Sequence, residues 1–142
     1  MTNIYLDIDG VILANDANPA KYADEFIKHI VTNHSVFWLT THCRQKENYT
    51  IPLLSRFFSK DSMKYIKQIK PTVWDLNKTE AIDFSTPFLW FDDDLYESEK
   101  QELIKHNVLD NWIEVDLRKD ENHLAKFLAS FPIPIQIIKK VL

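Results

Sequence analysis

Two aspartates one residue apart, Asp7 and Asp9, close an apolar run and stand just before Gly10, in the order Asp7-Ile8-Asp9-Gly10-Val11. In an extended chain the side chains alternate with a period of two, so both carboxylates point the same way. Like charges that close repel, and the repulsion is relieved when a cation joins them or when one carboxyl holds a proton. A hard divalent ion such as Mg²⁺ prefers carboxylate oxygen, which makes a metal site the economical reading of the pair. A solvated turn after a strand produces the same Asp-x-Asp-Gly, so these four residues alone leave both readings open.

Three more points along the chain put polar groups where apolar runs end. Val36 to Leu39 is followed by Thr40 and Thr41, whose hydroxyls can donate to a phosphoryl oxygen or simply end a strand. Lys78, in Asp75-Leu76-Asn77-Lys78-Thr79-Glu80, falls near an expected helix start, where its charge opposes the helix dipole. An anionic ligand explains a lysine there, and so does plain exposure to solvent. Phe88 to Phe91 leads directly into Asp92, Asp93 and Asp94, a crowding that calls for a cation or a well-hydrated loop. His42 and Arg44 follow the threonines closely enough to touch a substrate phosphate, or to cap and solvate the turn. Each signal has an ordinary structural explanation, but Asp-x-Asp, Thr, Lys and Asp-Asp in that order at successive strand ends is a far rarer coincidence.

In that order the residues resemble the haloacid dehalogenase superfamily, whose four motifs are matched by DIDGV, WLTT, the lysine of NKTEAI and WFDDD, from Asp7 to Asp94. A receiver domain also gathers acids, a threonine and a lysine. Its acidic pair comes first, its phosphoacceptor aspartate on a later strand and its lysine last, which is not the order here. The resemblance implies a Mg²⁺-dependent phosphohydrolase of phosphomonoesters. Asp7 would attack phosphorus in line to form an aspartyl-phosphate, and Asp9 would protonate the leaving oxygen and then deprotonate the attacking water. Thr40 would hydrogen-bond a phosphoryl oxygen, with Thr41 taking that role if the strand ends one residue later. Lys78 would bridge the phosphoryl group and Asp7. The metal would be held by Asp7, the backbone carbonyl of Asp9 and either Asp92 or Asp93. Thr41, His42 and Arg44 are the expected substrate contacts.

Neither the stretch from Gly10 to Trp38 nor that from Thr40 to Lys78 is long enough for a large cap domain of the kind the family often inserts. The loop VILANDANP carries no further glycine, so the family's small flap is expected to be reduced. An open site suits a nucleotide, a polynucleotide end or a phosphoprotein, and the WLTT and WFDDD pattern is similar to phosphatase-like domains associated with RNA repair.

Positioning these residues requires a sheet. Ile4 to Ile8, Val36 to Leu39, Phe88 to Phe91 and Trp112 to Val115 read as buried parallel strands. Tyr22, Phe26, Ile27 and Ile30 recur at helical spacing, as do Leu124, Phe127, Leu128 and Phe131. Glu47 to Lys70 reads as two helices, Thr72 to Trp74 as a fifth strand, and a helix is expected from about Asn77, capped by its side chain. The alternation predicts an α/β fold: a three-layer, doubly wound, Rossmann-like parallel sheet, of the haloacid dehalogenase type by resemblance, in one domain spanning residues 1–142. Ligands of such sheets sit beyond the carboxyl ends of the strands, where all the residues singled out above are placed.

Composition narrows the classes. A single glycine excludes P-loop and dinucleotide-binding fingerprints, which need several. The net charge of −4 argues against a broad basic face for duplex nucleic acid, though a local patch for a nucleic-acid end stays open. Lys60, Lys64, Lys67 and Lys70 recur at helical spacing opposite Met63, Ile66 and Ile69; a solvated helix face is the favoured reading, a track for a phosphate backbone the other. Cys43 is the single cysteine and is expected to be a small buried thiol. With no possible internal disulfide, no signal-like start and no apolar run long enough to span a membrane, a cytoplasmic protein is expected. The apolar tail from Phe131 to Leu142 is expected to pack on its own domain or on a partner. Two other functional readings stand beside hydrolysis: a phosphate-recognising module without turnover, and a phosphotransferase in which an alcohol replaces water.

Overall fold

Strands built on consecutive apolar residues must be covered on both faces, and that requirement organises the molecule. In the computed structural model, which describes residues 2–14, 18–46 and 48–130 without the side chains of 44–46, the four apolar runs form β1 (Asn3–Leu6), β2 (Ser35–Trp38), β3 (Phe88–Asp92) and β4 (Trp112–Glu114). They build an all-parallel sheet in the order β2-β1-β3-β4. The helices are α1 (Ala23–Asn33), α2 (Thr50–Leu54), α3 (Lys60–Ile66), α4 (Glu97–Lys105) and α5 (His123–Ser130).

The period of two sorts the strand side chains between two cores. Ile4, Leu6, Trp38, Leu89 and Phe91 pack with Phe26 and Ile30 of α1, Ile66 of α3 and Phe127 of α5. Tyr5, Phe88 and Trp90 face the other way, onto Leu103 of α4, Trp74 and Ile82. Helix α1 forms because Ala23, Phe26, Ile27 and Ile30 recur on one face and are buried, while Asp24 and Glu25 complement the dipole in its first turn. Burial of each such large side chain contributes roughly 1.5–3 kcal/mol, so α1 is held by its packing rather than by its own propensity. Leu54, Phe58, Met63 and Ile66 enter the same core, so the stretch between Thr40 and Lys78 belongs to the body of the domain.

Thr72 to Trp74 is not a strand. Lys70 makes a single bridge to Phe37, with Lys70 N–H donating to Val36 O at 3.0 Å and Trp38 N–H to Lys70 O at 2.8 Å. The next bond of a parallel ladder would run from Thr72 N–H to Trp38 O. The Thr72 hydroxyl instead donates to Trp38 O at 2.6 Å. The helix expected from Asn77 is one 3₁₀ turn, Lys78–Ala81. Ahead of it the Glu80 carboxylate accepts the N–H groups of Asp75, Leu76 and Asn77, while Asn77 Oδ1 accepts from the Ser98 hydroxyl at 2.8 Å. The four lysines at positions 60, 64, 67 and 70 are exposed, and Met63, Ile66 and Ile69 are buried behind them, as a solvated face requires. Cys43 is buried, its thiol within reach of the Trp38 and Thr40 carbonyls. Phe131 and the rest of the apolar tail lie outside the described residues. No helix among the described residues is long and apolar enough to cross a membrane.

Because β1 has β2 on one side and β3 on the other, the connections leaving β1 and β3 diverge at the carboxyl edge of the sheet. The order is compatible with a Rossmann-like sheet, whose ligand crevice opens at such a divergence.

Candidate active site

The register of the two central strands brings the acids together. Leu6 pairs with Phe91, so the next residues, Asp7 just past β1 and Asp92 at the end of β3, stand side by side. Asp7 N–H donates to Phe91 O at 3.1 Å, and Val115 N–H to Asp92 O at 2.9 Å, which pins both backbones. Asp7 and Asp92 are buried, while Asp9, Asp93 and Asp94 are exposed. Carboxylate oxygens of Asp7, Asp92 and Asp93 lie within 4.8 Å of one another.

Lys78 reaches this group from the 3₁₀ turn. Its Nζ is 2.7 Å from Asp92 Oδ2 and 3.4 Å from Asp7 Oδ2. Burial works against the ammonium charge, but the charges of Asp7 and Asp92 outweigh it and hold Lys78 above the ordinary lysine value. Asp92 is saturated by donors: Oδ1 accepts the N–H groups of Asp93 at 2.8 Å and Asp94 at 3.3 Å, and Oδ2 accepts Lys78 and the Trp90 indole N–H at 3.1 Å. Burial, and then the charge of Asp7, push the Asp92 carboxyl up to about 9, and burial also raises Asp93.

Asp93 approaches Gly10. That residue has φ +80, and a Cβ there would stand 2.6 Å from Asp93 Cγ and still nearer Oδ2. Glycine therefore serves both the left-handed turn after β1 and the seating of Asp93. Three carboxylates against one lysine leave an excess of negative charge, and all the donor atoms are hard oxygens. The residues present fit a hard divalent cation, with Asp7 and Asp93 offering the oxygens not taken up by neighbouring donors as fully as those of Asp92.

These residues line a cleft of about 190 Å³ together with Asp9, Thr41, Trp74, Asp94, Tyr96 and Glu99. Strand β2 ends at Trp38, and Thr40 is fully buried, its hydroxyl accepting the His42 N–H at 3.4 Å. Thr41 is the threonine that lines the cleft. His42 turns its ring to Asp9, with Nε2 2.8 Å from Oδ2. The side chain of Arg44 lies outside the described residues.

Glu99 was not among the residues expected here. It is 3% exposed, and its two oxygens accept Tyr96 N–H at 3.0 Å and Lys78 N–H at 2.8 Å. Its signal was the spacing from Tyr96, three residues ahead of it at the start of α4, where a glutamate commonly reaches back to the helix cap. Trp74, whose indole donates to Thr40 O at 3.3 Å, supports the floor of the cleft.

No protein-family model matches the chain, and neither the curated proteins nor the solved structures include a match.

Proposed function

We propose that the protein is a Mg²⁺-dependent phosphohydrolase of the haloacid dehalogenase type, acting on a phosphomonoester through an aspartyl-phosphate at Asp7. The observation that carries this reading is the placement of Lys78 between Asp7 and Asp92 at the carboxyl edge of the sheet, beside a carboxylate group suited to a hard cation. A lysine there neutralises a phosphoryl group brought to Asp7, which otherwise faces a wall of negative charge.

Asp7 and Asp93, with the Asp9 carbonyl, would hold Mg²⁺, and Asp92 would hold Lys78. The ion, when bound, supplies positive charge that stabilises the transferring phosphoryl group. In the first step an Asp7 carboxylate oxygen bonds to phosphorus, the ester P–O bond breaks, and Asp9 gives its proton to the leaving oxygen. In the second step water attacks phosphorus, its proton passes to Asp9, and the bond to Asp7 breaks. Thr41, which lines the cleft, would contact a phosphoryl oxygen, and Thr40 is buried behind the cleft lining. The substrate is a phosphorylated small molecule, such as a nucleotide, or the phosphorylated end of a macromolecule. The exposed lysines at positions 60, 64, 67 and 70 do not line the cleft, so that row lends no support to a polynucleotide. Release of phosphate from an aryl phosphate, with and without Mg²⁺, in wild type and Asp7→Asn is the direct assay. Turnover that needs both Mg²⁺ and Asp7 supports the proposal, whereas phosphate binding without turnover on a broad ester panel favours a recognition module.

A further inference from the structure

Asp9 presents a problem for a proton donor: its side chain is 67% exposed, and a carboxyl free in water has no reason to stay on one line of transfer. Among the described residues, the contact its carboxylate makes is with the His42 ring, Nε2 to Oδ2 at 2.8 Å. His42 is itself well anchored. It lies in the 3₁₀ turn Thr41–Lys46 that leaves β2, its N–H donates to the Thr40 hydroxyl, and its carbonyl accepts Tyr49 N–H at 2.9 Å. Its side chain is 28% exposed, so the ring is largely held by protein. A loop from the second strand thus reaches across to the acid carried by the loop of the first.

We propose that His42 is the positioning residue of Asp9, a role that rests on the phosphohydrolase reading above. In this role Nε2 carries the hydrogen and donates it to Oδ2, which accepts. With Oδ2 engaged, Oδ1 is the oxygen that carries the proton, yields it to the leaving oxygen as the P–O bond breaks, and recovers one from water in the second step. His42 touches neither phosphorus nor the leaving group. Its effect grows with the basicity of the leaving oxygen: a nitrophenolate departs with little help, whereas an alkoxide departs only as the proton arrives.

The test is a leaving-group series, from aliphatic phosphomonoesters to nitrophenyl phosphates, measured as kcat/KM in wild type, His42→Phe and His42→Gln with Mg²⁺ present. His42→Phe is expected to lose about ten-fold or more on aliphatic esters and much less on nitrophenyl esters, steepening the dependence on leaving-group pKa. His42→Gln, which keeps an N–H donor, is expected to return most of the loss. A loss equal across the series, or one that glutamine does not relieve, overturns the positioning role while leaving the phosphohydrolase reading intact. A folded wild type that turns over no ester in the series, like its Asp7→Asn control, overturns that reading and this inference with it.

Discussion

The backbone N–H of Lys78 donates to the carboxylate of Glu99, twenty-one residues further along the chain, at 2.8 Å. The other Glu99 oxygen accepts Tyr96 N–H at 3.0 Å, so one buried carboxylate ties the turn that carries the lysine to the start of the helix after the acidic loop. The position of the Lys78 ammonium between Asp7 and Asp92 is therefore set from behind, through backbone, as well as from the front through charge.

Replacing Glu99 tests that arrangement. Glu99→Ala leaves two N–H groups without their acceptor, and an unsatisfied buried donor costs about 1–3 kcal/mol. A lower urea midpoint and at least about a ten-fold fall in Mg²⁺-dependent turnover are expected, by analogy with the loss of groups that orient a metal site. Glu99→Gln keeps one carbonyl acceptor and is expected to fall between alanine and wild type in both measurements.

Gly10→Ala places a methyl group against Asp93 in a backbone of φ +80. The left-handed conformation costs a non-glycine residue about 1–2 kcal/mol, and the carboxylate must move aside. Calorimetric titration is expected to show Mg²⁺ affinity lowered by about ten-fold or more, the range seen when the support of a metal ligand is removed. Unchanged affinity would place the ion away from Asp93.

Stability is expected to respond to pH and Mg²⁺ together. Burial and the charge of Asp7 raise the Asp92 carboxyl from 3.8 to about 9 in the folded protein. Across that interval the Asp92 carboxyl binds more protons in the native protein than in the unfolded chain, so its contribution is full below the lower value and is lost as pH rises towards the upper one. Mg²⁺ replaces those protons. Thermal melting should show the metal-free protein losing stability from pH 5 to pH 8.5, and the increase in Tm on adding Mg²⁺ should be larger at the higher pH.

Much of this was legible in the residues themselves, for identifiable reasons. The four strands are built on short apolar runs, Ile4 to Leu6, Val36 to Trp38, Phe88 to Phe91 and Trp112 to Ile113, and α1 repeats its apolar residues at helical spacing. Helix α4 gave no such pattern, because Glu97–Lys105 buries only Glu99 and Leu103, and its other residues, Ile104 apart, are charged or polar. Thr72 to Trp74 has the composition of a strand, but the Thr72 hydroxyl, rather than a ladder N–H, donates to Trp38 O. In the site, Asp7, Lys78 and Asp92 were visible because strand ends and turn starts converge in any parallel sheet. The division between Asp92, saturated by donors, and Asp93, seated against Gly10, depends on side-chain geometry that spacing does not encode. The pairing of His42 with Asp9 joins loops of two different strands, which spacing along the chain does not encode.

The central claim is that Asp7 becomes covalently phosphorylated. Asp9→Asn protein, in which water is no longer activated, can be incubated with Mg²⁺ and a reactive phosphate donor such as acetyl phosphate, quenched in acid, and mapped by peptide mass spectrometry. One phosphoryl group on the peptide containing Asp7, absent without Mg²⁺ and absent in the Asp7→Asn/Asp9→Asn double variant, is the predicted result. Mg²⁺-dependent phosphate release that persists undiminished in Asp7→Asn, with no phosphoryl group on that peptide, would contradict the account.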